Sequence, residues 1–466
     1  VTVASAPREP DVPTSTPVSA PARDGGLAGF AAGSSTLAGP AWLAELRARG
    51  LSALATVAVP SEAEEQWRYS RIDELDLDAF APVLEPPRKD LPLSAEARVF
   101  LEAVGARSAL VRSVGGFVVE VAVASGASDL GVRVETAREL PAQPDELDAH
   151  LARRADALTV LAGALCPDVV VVRVPAGVVL SEPIVVVHEV GEDAEGAAIF
   201  PRALVVLGPG AQASVVEMFV SGDERCVVVP LLEVELGDGA HLQHTSVQQL
   251  GRRAWHLGYQ ASHVGRDAVL HSFLAALGGE YSRQLTSTVL AGVGGASELL
   301  AVYLGDGTQV QDMRTFQEHE APRTRSELVF KGAVADTARS VYTGLIHMHP
   351  GAKRADASQT NRNLVLSEGA HADSVPNLDI EENDVRCSHA SAVGPIDPDQ
   401  LFYLATRGVP PEVAERLILL GFFDDLLDRA PVSGVAPYLR AAVARRLSAG
   451  VLATGSRAVG SREVPA

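Results

Sequence analysis

From Val169 to about Gly394 the chain is a succession of short runs rich in Val, Leu and Thr. They are separated by Pro-Ala-Gly, Gly-Pro-Gly, Gly-Asp-Gly, Gly-Val-Gly-Gly and Ser-Glu-Gly. Short β-prone runs cut by turn residues, with no helical pattern between them, restrict this region to a sandwich, a barrel or a β-solenoid. Its length favours the solenoid, which adds rungs without widening its core.

The most reactive side chains fall at the end of that region, between Ala352 and Gly394. Leu364 and Leu366, Leu378 and Ile380, and then Val385, Cys387 and His389 alternate with polar residues, so strand follows turn at regular spacing. Residues two apart in a strand share a face, which puts Cys387 beside His389. A thiolate and an imidazole on one face can hold a soft metal or pass sulfur; the same pattern also suits a small buried hydrophobe next to a hydrogen-bonded histidine. His347 and His349 form a second same-face pair, with Asp356 and His371 downstream. With a third ligand the pair would take zinc or iron, although solvated strand histidines are commoner. Gln359, Asn361 and Asn363 alternate toward one face and are expected to form an amide ladder between rungs. His241, His244, His256, His263 and His271 are irregularly spaced and receive no role.

The flanks read differently. Residues 1–38 are rich in Pro, Ala, Ser, Thr and Gly without periodicity and are expected to form a disordered tail. Residues 39–92 form an N-terminal helical domain, with a helix from Pro40 to Gly50 and a capping box at Ser61 and Glu64. Residues 93–168 hold strands and a lateral helix over 145–165, leading into the core at 169–395. Residues 396–448 are helical again: Asp397 caps, Pro398 opens and Gly408 closes one helix, and a second runs from Pro411 to Arg429. Phe422 and Phe423 are adjacent and point about 100° apart, so one helix face cannot bury both rings. A final helix spans 438–447, and 449–466 is a second tail.

Charge and composition exclude several functions. Against 59 acidic residues there are only 39 basic ones, a formal net charge of -20, which is the wrong sign for a nucleic-acid footprint. No apolar run approaches the roughly 20 residues of a membrane span, and there is no charged-then-apolar leader, so a cytoplasmic location is expected. The three cysteines, Cys166, Cys226 and Cys387, provide neither a disulfide framework nor a four-thiolate cluster site. Gly292, Gly294 and Gly295 lack the Lys-Ser or Lys-Thr of a phosphate-binding loop, and neither a Gly-x-Ser-x-Gly elbow nor a His-Glu-x-x-His motif occurs.

Several ordered motifs resemble one family. QTNRNLVLSEGAHADSVPNLDI followed by DVRCSHASAVGPIDPDQLFYLATRGV, together with EEQWRYSRIDEL and VRVPAGVVLSEPIVV, is similar to the SufB/SufD family of iron-sulfur cluster assembly scaffolds. Ala370, in the turn SEGAHADSVP, stands where the SufB branch is expected to carry a cysteine, which aligns the chain with the SufD branch. The resemblance implies a mainly β fold, a right-handed parallel β-helix core with N- and C-terminal helical domains. It implies a non-catalytic scaffold subunit that pairs with a SufB-like paralogue and docks a SufC-like ABC ATPase, the isolated chain being capable of a homodimer. His389, with Cys387 as its neighbour, would contribute to a transient iron-sulfur cluster held between subunits, none being stably bound by this chain alone. Phe422, Phe423 and Leu426 are the expected ATPase-docking residues. The rival reading is a β-solenoid enzyme acting on acidic polysaccharide; scarce aromatics, 5% of residues, and like-charge repulsion weigh against it.

Overall fold

The computed structural model describes residues 30, 33–88, 91–153, 155–191, 194–432 and 434–447. Its centre is a parallel β-solenoid of about eight turns with helices at both ends. Successive strands alternate between two sheets. One sheet runs in the order Arg133–Thr136, Val170–Val174, Arg202–Leu207, Leu231–Leu236, Trp255–Val264, Tyr281–Leu290, Val310–His319, Arg339–Met348 and His371–Ile380. The other ends on Arg325–Val334, Asp356–Val365 and Arg386–Gly394. Neighbouring rungs are in register: Glu318 lies beside His347, 29 residues on.

Backbone geometry at one corner makes this stacking repeat. Gly177, Gly210, Gly239, Asp267, Gly294, Arg323 and Arg354 all adopt left-handed φ between 51° and 78°. Each donates its N–H to a carbonyl of the following rung, from Pro209 for Gly177 to Asp384 for Arg354. Glycine suits the left-handed corner best, and at Gly294 a Cβ would also lie 2.1 Å from Asp267 Oδ1, so a larger residue there would have to displace that carboxylate.

The lumen changes character along the axis. Early rungs meet through Val172, Val205, Val234, Val215 and Leu242, all buried aliphatics. Polar side chains share that space: His244 bonds Glu217 on the same strands that carry Leu242 and Val215, and Asn361 and Asn363 form a polar cluster farther along. The expected amide ladder between rungs is only partly realised, because Gln359 has no partner among the described residues and the amide–amide bond joins Asn363 to Asn361 within one strand. Asn361 Nδ2 donates to Tyr303 Oη at 2.8 Å, and Asn363 Nδ2 donates to Asn361 Oδ1 at 2.7 Å. Gly332 makes room for this arrangement, since a Cβ there would lie 1.9 Å from Tyr303 Cε2.

Flanking segments cover part of each outer face. Helices Ala95–Val104, Pro411–Leu427 and Val435–Arg446 pack Phe100, Leu419, Phe423 and Leu439 against Met218, Phe273 and Val302 of one sheet. On the other sheet, the segment around Trp67 is clamped by a buried charge cluster. Asp312 accepts from Tyr281 Oη at 2.6 Å, from Arg283 at 3.0 Å and from Arg314 Nε at 2.5 Å. The two guanidiniums in turn donate to the carbonyls of Gln66 and Arg68, and Arg283 lies 3.6 Å from the Trp67 ring centre. Burial alone would raise the Asp312 pKa, but the two arginines hold it below the ordinary carboxylate value.

Several local expectations are corrected. Ser61 and Glu64 begin not a capped helix but a turn that leads into the single 3-10 turn Glu65–Trp67, which the clamp fixes in place. The lateral helix is confined to Ala157–Leu165; Asp156 and Thr159 form the capping box that starts it. Residues 1–29 and 448–466 lie outside the described residues, but Phe30, Ser34 and Leu37 are buried, so packing begins within the expected tail. Phe30 fills a site edge-on to Phe200, and Ser34 Oγ donates to Ala164 O at 2.8 Å. No described helix is long and apolar enough to cross a membrane.

Removing one partner of a buried ion cluster leaves uncompensated charge, which costs about 3–5 kcal/mol. Asp312→Ala is therefore expected to destabilise the chain by about that amount in urea unfolding. A loss under about 1 kcal/mol, small against that figure, would mean that the Trp67 segment is held by apolar contact alone.

Candidate functional site

The solenoid ends on two strands, His371–Ile380 and Arg386–Gly394, each paired on one side only. In a solenoid the inward face of one rung is covered by the next, so a rung at the end of the stack presents that face, and a row of backbone N–H and C=O groups, to whatever approaches. The inward positions follow from register. Ala357, Gln359, Asn361 and Asn363 are buried and lie beside Cys387, His389, Ser391 and Val393 of the last strand. On the facing strand Tyr342, Ile346 and Met348 lie beside Ser374, Leu378 and Ile380.

This places the sequence-derived pair. Cys387 and His389 share the inward face, as their spacing requires, yet His389 is exposed and Cys387 is half-buried. The reading of His389 as a packed core residue is thereby excluded: its neighbour Gln359 is covered by the last strand, but no further described strand covers His389. Burial, followed by the nearby Asp356 carboxylate, pushes the Cys387 thiol up to about 11, so it is a protonated thiol at neutral pH rather than an activated thiolate. Val393 at 46% and Ile380 at 47% exposure add apolar surface to the same end. Ser391 Oγ donates to Ser374 Oγ at 2.7 Å, joining the two terminal strands across the mouth of the lumen.

Sequence reasoning missed the part of Gln359 in this site. Gln359 is 1% exposed, and neither of its amide atoms has a hydrogen-bond partner among the described residues. Its side chain lies against Gly344, where a Cβ would come within 2.3 Å of Gln359 Nε2. A buried amide without a protein partner is costly unless water or a ligand completes its hydrogen bonds. Its position one rung beneath His389 is invisible in the sequence because 30 residues separate the two.

The expected ATPase-docking trio is corrected. Phe423 and Leu426 are fully buried against the sheet, which removes them from any surface a second chain could touch. Phe422 is partly covered by Lys331, whose Nζ lies 4.9 Å from the ring centre and donates to Phe422 O at 2.8 Å. The adjacent rings do diverge, as helix geometry demands. Exposed apolar surface lies instead on the helix Pro398–Thr406, which has no buried residue and presents Phe402 at 71% and Tyr403 at 57%, and at Leu417 at 49% exposure. Adjacent exposed aromatic side chains make this helix the candidate contact surface of the C-terminal segment.

His347 and His349 both contact the Glu318 carboxylate, which arrives from the neighbouring rung. Asp356 and His371, weighed as third ligands, are not part of that cluster.

Comparison with known proteins gives a consistent result. Residues 190–422 match the family model for the SUF system FeS cluster assembly SufBD core domain. The chain is 28% identical over 411 residues to the iron-sulfur cluster assembly protein SufD of Escherichia coli, covering 86% of this chain and 92% of that protein. It is 30% identical over 295 residues to SufD of Bacillus subtilis, covering 62% of this chain and 67% of that protein. An iron-sulfur cluster assembly SufBD family protein of Mycobacterium leprae is 36% identical over 261 residues, 53% of this chain and 62% of that protein.

Because His389 is exposed, His389→Ala is expected to shift unfolding free energy by no more than about 0.5 kcal/mol. A thermal or urea melt of the isolated variant checks this. A loss of about 2 kcal/mol or more would restore the core reading.

Proposed function

Because this chain belongs to the SUF-system SufBD family of iron-sulfur cluster assembly proteins, we propose that it is a SufD-like, non-catalytic scaffold subunit. A SufB-like paralogue pairs with the terminal rung, and a SufC-like ATPase docks on the C-terminal helices. The nascent cluster is cargo, formed between subunits and never owned by this chain. One observation carries the reading: the last rung presents His389 and Cys387 on an uncovered inward face, flanked by two strand edges able to pair with strands of another chain.

The chemistry of the pair is asymmetric. An imidazole is a ready ligand for iron, whereas a thiol held up to about 11 must lose its proton before it binds. His389 is therefore the primary ligand from this chain, and Cys387 joins only when a nearby cation or metal draws off its proton. The remaining cluster ligands come from the paralogue, since the other two cysteines, Cys166 and Cys226, are buried away from this end. Nothing in the site favours the polysaccharide-enzyme reading, which needs a groove of paired carboxylates.

Two outcomes test the proposal. The isolated chain, reconstituted anaerobically with iron and sulfide and then desalted, is expected to retain no stoichiometric cluster by visible absorption, whereas the complex with the paralogue and ATPase retains one. In that complex His389→Ala removes cluster formation; undiminished formation sinks the ligand assignment. For docking, Phe402→Ala or Tyr403→Ala is expected to weaken ATPase binding by about 2 kcal/mol, measured by calorimetry, while leaving the thermal midpoint in place. Equal affinity for both variants moves the docking surface off this helix.

A further inference from the structure

We propose that Glu318, His347 and His349 form a binding site for one first-row divalent transition ion, zinc or ferrous iron, on the outer face of the solenoid. The site shares no residue with the terminal mouth and does not rest on the assembly role.

The geometry is convergent. His347 Nδ1 lies 3.1 Å and His349 Nε2 lies 2.7 Å from the same oxygen, Glu318 Oε2. The three donor atoms all lie within 4.8 Å of one another. Around a tetrahedral ion with bonds of about 2.0–2.2 Å, donor atoms sit roughly 3.3 Å apart, so an ion enters this triad with small side-chain shifts. Two imidazoles and one carboxylate are a borderline donor set, suited to zinc or ferrous iron rather than to calcium or magnesium.

The backbone supports the site rigidly. Glu318 and His347 are register partners on adjacent strands, and the His349 N–H donates to His319 O at 3.1 Å. Carboxylates also stand behind the first ring. His347 Nε2, the nitrogen facing away from the triad, lies 3.4 Å from Glu381 Oε2 and 3.9 Å from Asp379 Oδ2. A carboxylate on the far nitrogen holds the proton there and leaves Nδ1 as the ligand, the arrangement that metal-binding histidines ordinarily show. Partial exposure of both rings, 19% for His347 and 29% for His349, gives an ion a path in and a solvent position for a further ligand.

Two similar clusters divide the carboxylate instead. His150, Glu235 and His263 also bring one donor atom each within 4.8 Å of one another, but the two imidazoles bond different oxygens of Glu235, at 3.0 and 2.8 Å. His188 and His244 likewise divide the two oxygens of buried Glu217, at 3.4 and 3.1 Å. In both, each carboxylate oxygen is satisfied by its own imidazole, which is a hydrogen-bonded arrangement rather than a shared ligand point.

The test titrates untagged, metal-free full-length chain with Co2+ as a spectroscopic substitute, followed by competition with Zn2+. One equivalent is expected, with the visible d–d bands of a low-coordinate N/O site. His347→Gln combined with His349→Gln removes stoichiometric binding while circular dichroism and the melting midpoint show a folded chain. Glu381→Gln weakens binding by about 10-fold or more through the far nitrogen, and His389→Ala leaves it unchanged. Absence of stoichiometric binding by the wild type, or unchanged binding in the double variant, overturns the proposal. Binding lost in His389→Ala but retained in the double variant overturns it too, by placing the ion at the mouth.

Discussion

Every rung of this solenoid satisfies its backbone hydrogen bonds with the rung before and the rung after, and the rest of the structure follows from that requirement. It fixes the stacking register and the column of left-handed corners from Gly177 to Arg354, each N–H reaching one rung onward. It also means that a finite stack must end somewhere. The strands His371–Ile380 and Arg386–Gly394 are that end, and their unpaired edges and uncovered inward face are the consequence of stopping.

The lumen prepares for this end several rungs earlier. Aliphatic side chains dominate the first turns, beside the buried His188, Glu217 and His244, while Tyr303, Asn361 and Asn363 form a hydrogen-bonded cluster beneath the last ones. Polar groups in the lumen specify register more strongly than valines do, because a slipped rung would leave them without partners. Gln359 differs from its neighbours in this layer: it is buried without a partner, and it lies directly beneath the face that bears His389. The terminal geometry is thus supported by a satisfied polar layer and topped by groups suited to meet a ligand.

The flanking segments are fastened by different physics on the two sheets. Aliphatic and aromatic packing seats the C-terminal helices, burying Phe423 and Leu426 and turning the helix Pro398–Thr406 outward. On the opposite sheet the Arg283–Asp312–Arg314 cluster gathers the backbone around Trp67. The EEQWRYSRIDEL motif thereby serves the fold, because its carbonyls complete the hydrogen bonding of two buried guanidiniums. Membership in an assembly family fits a molecule whose last rung is open and whose most exposed aromatic side chains sit together on one helix.

Period-two alternation and turn chemistry are sufficient to read the strand-rich core, the same-face relation of Cys387 and His389, and the shared face of Gln359, Asn361 and Asn363, because these depend on neighbours in the chain. The motifs carry the family in the same way. Apolar spacing over 145–165 overstates the helix there, since it reflects docking of the turns before Asp156 as well as the helix Ala157–Leu165 itself. Only the tertiary structure decides that Phe423 and Leu426 point inward and Phe402 outward, that Gln359 lies beneath His389, and that Glu318 meets His347 and His349. Strand alternation determines which side chains share a face; whether that face is buried, exposed or joined to another depends on the rung stacked upon it, 29 to 31 residues away in sequence.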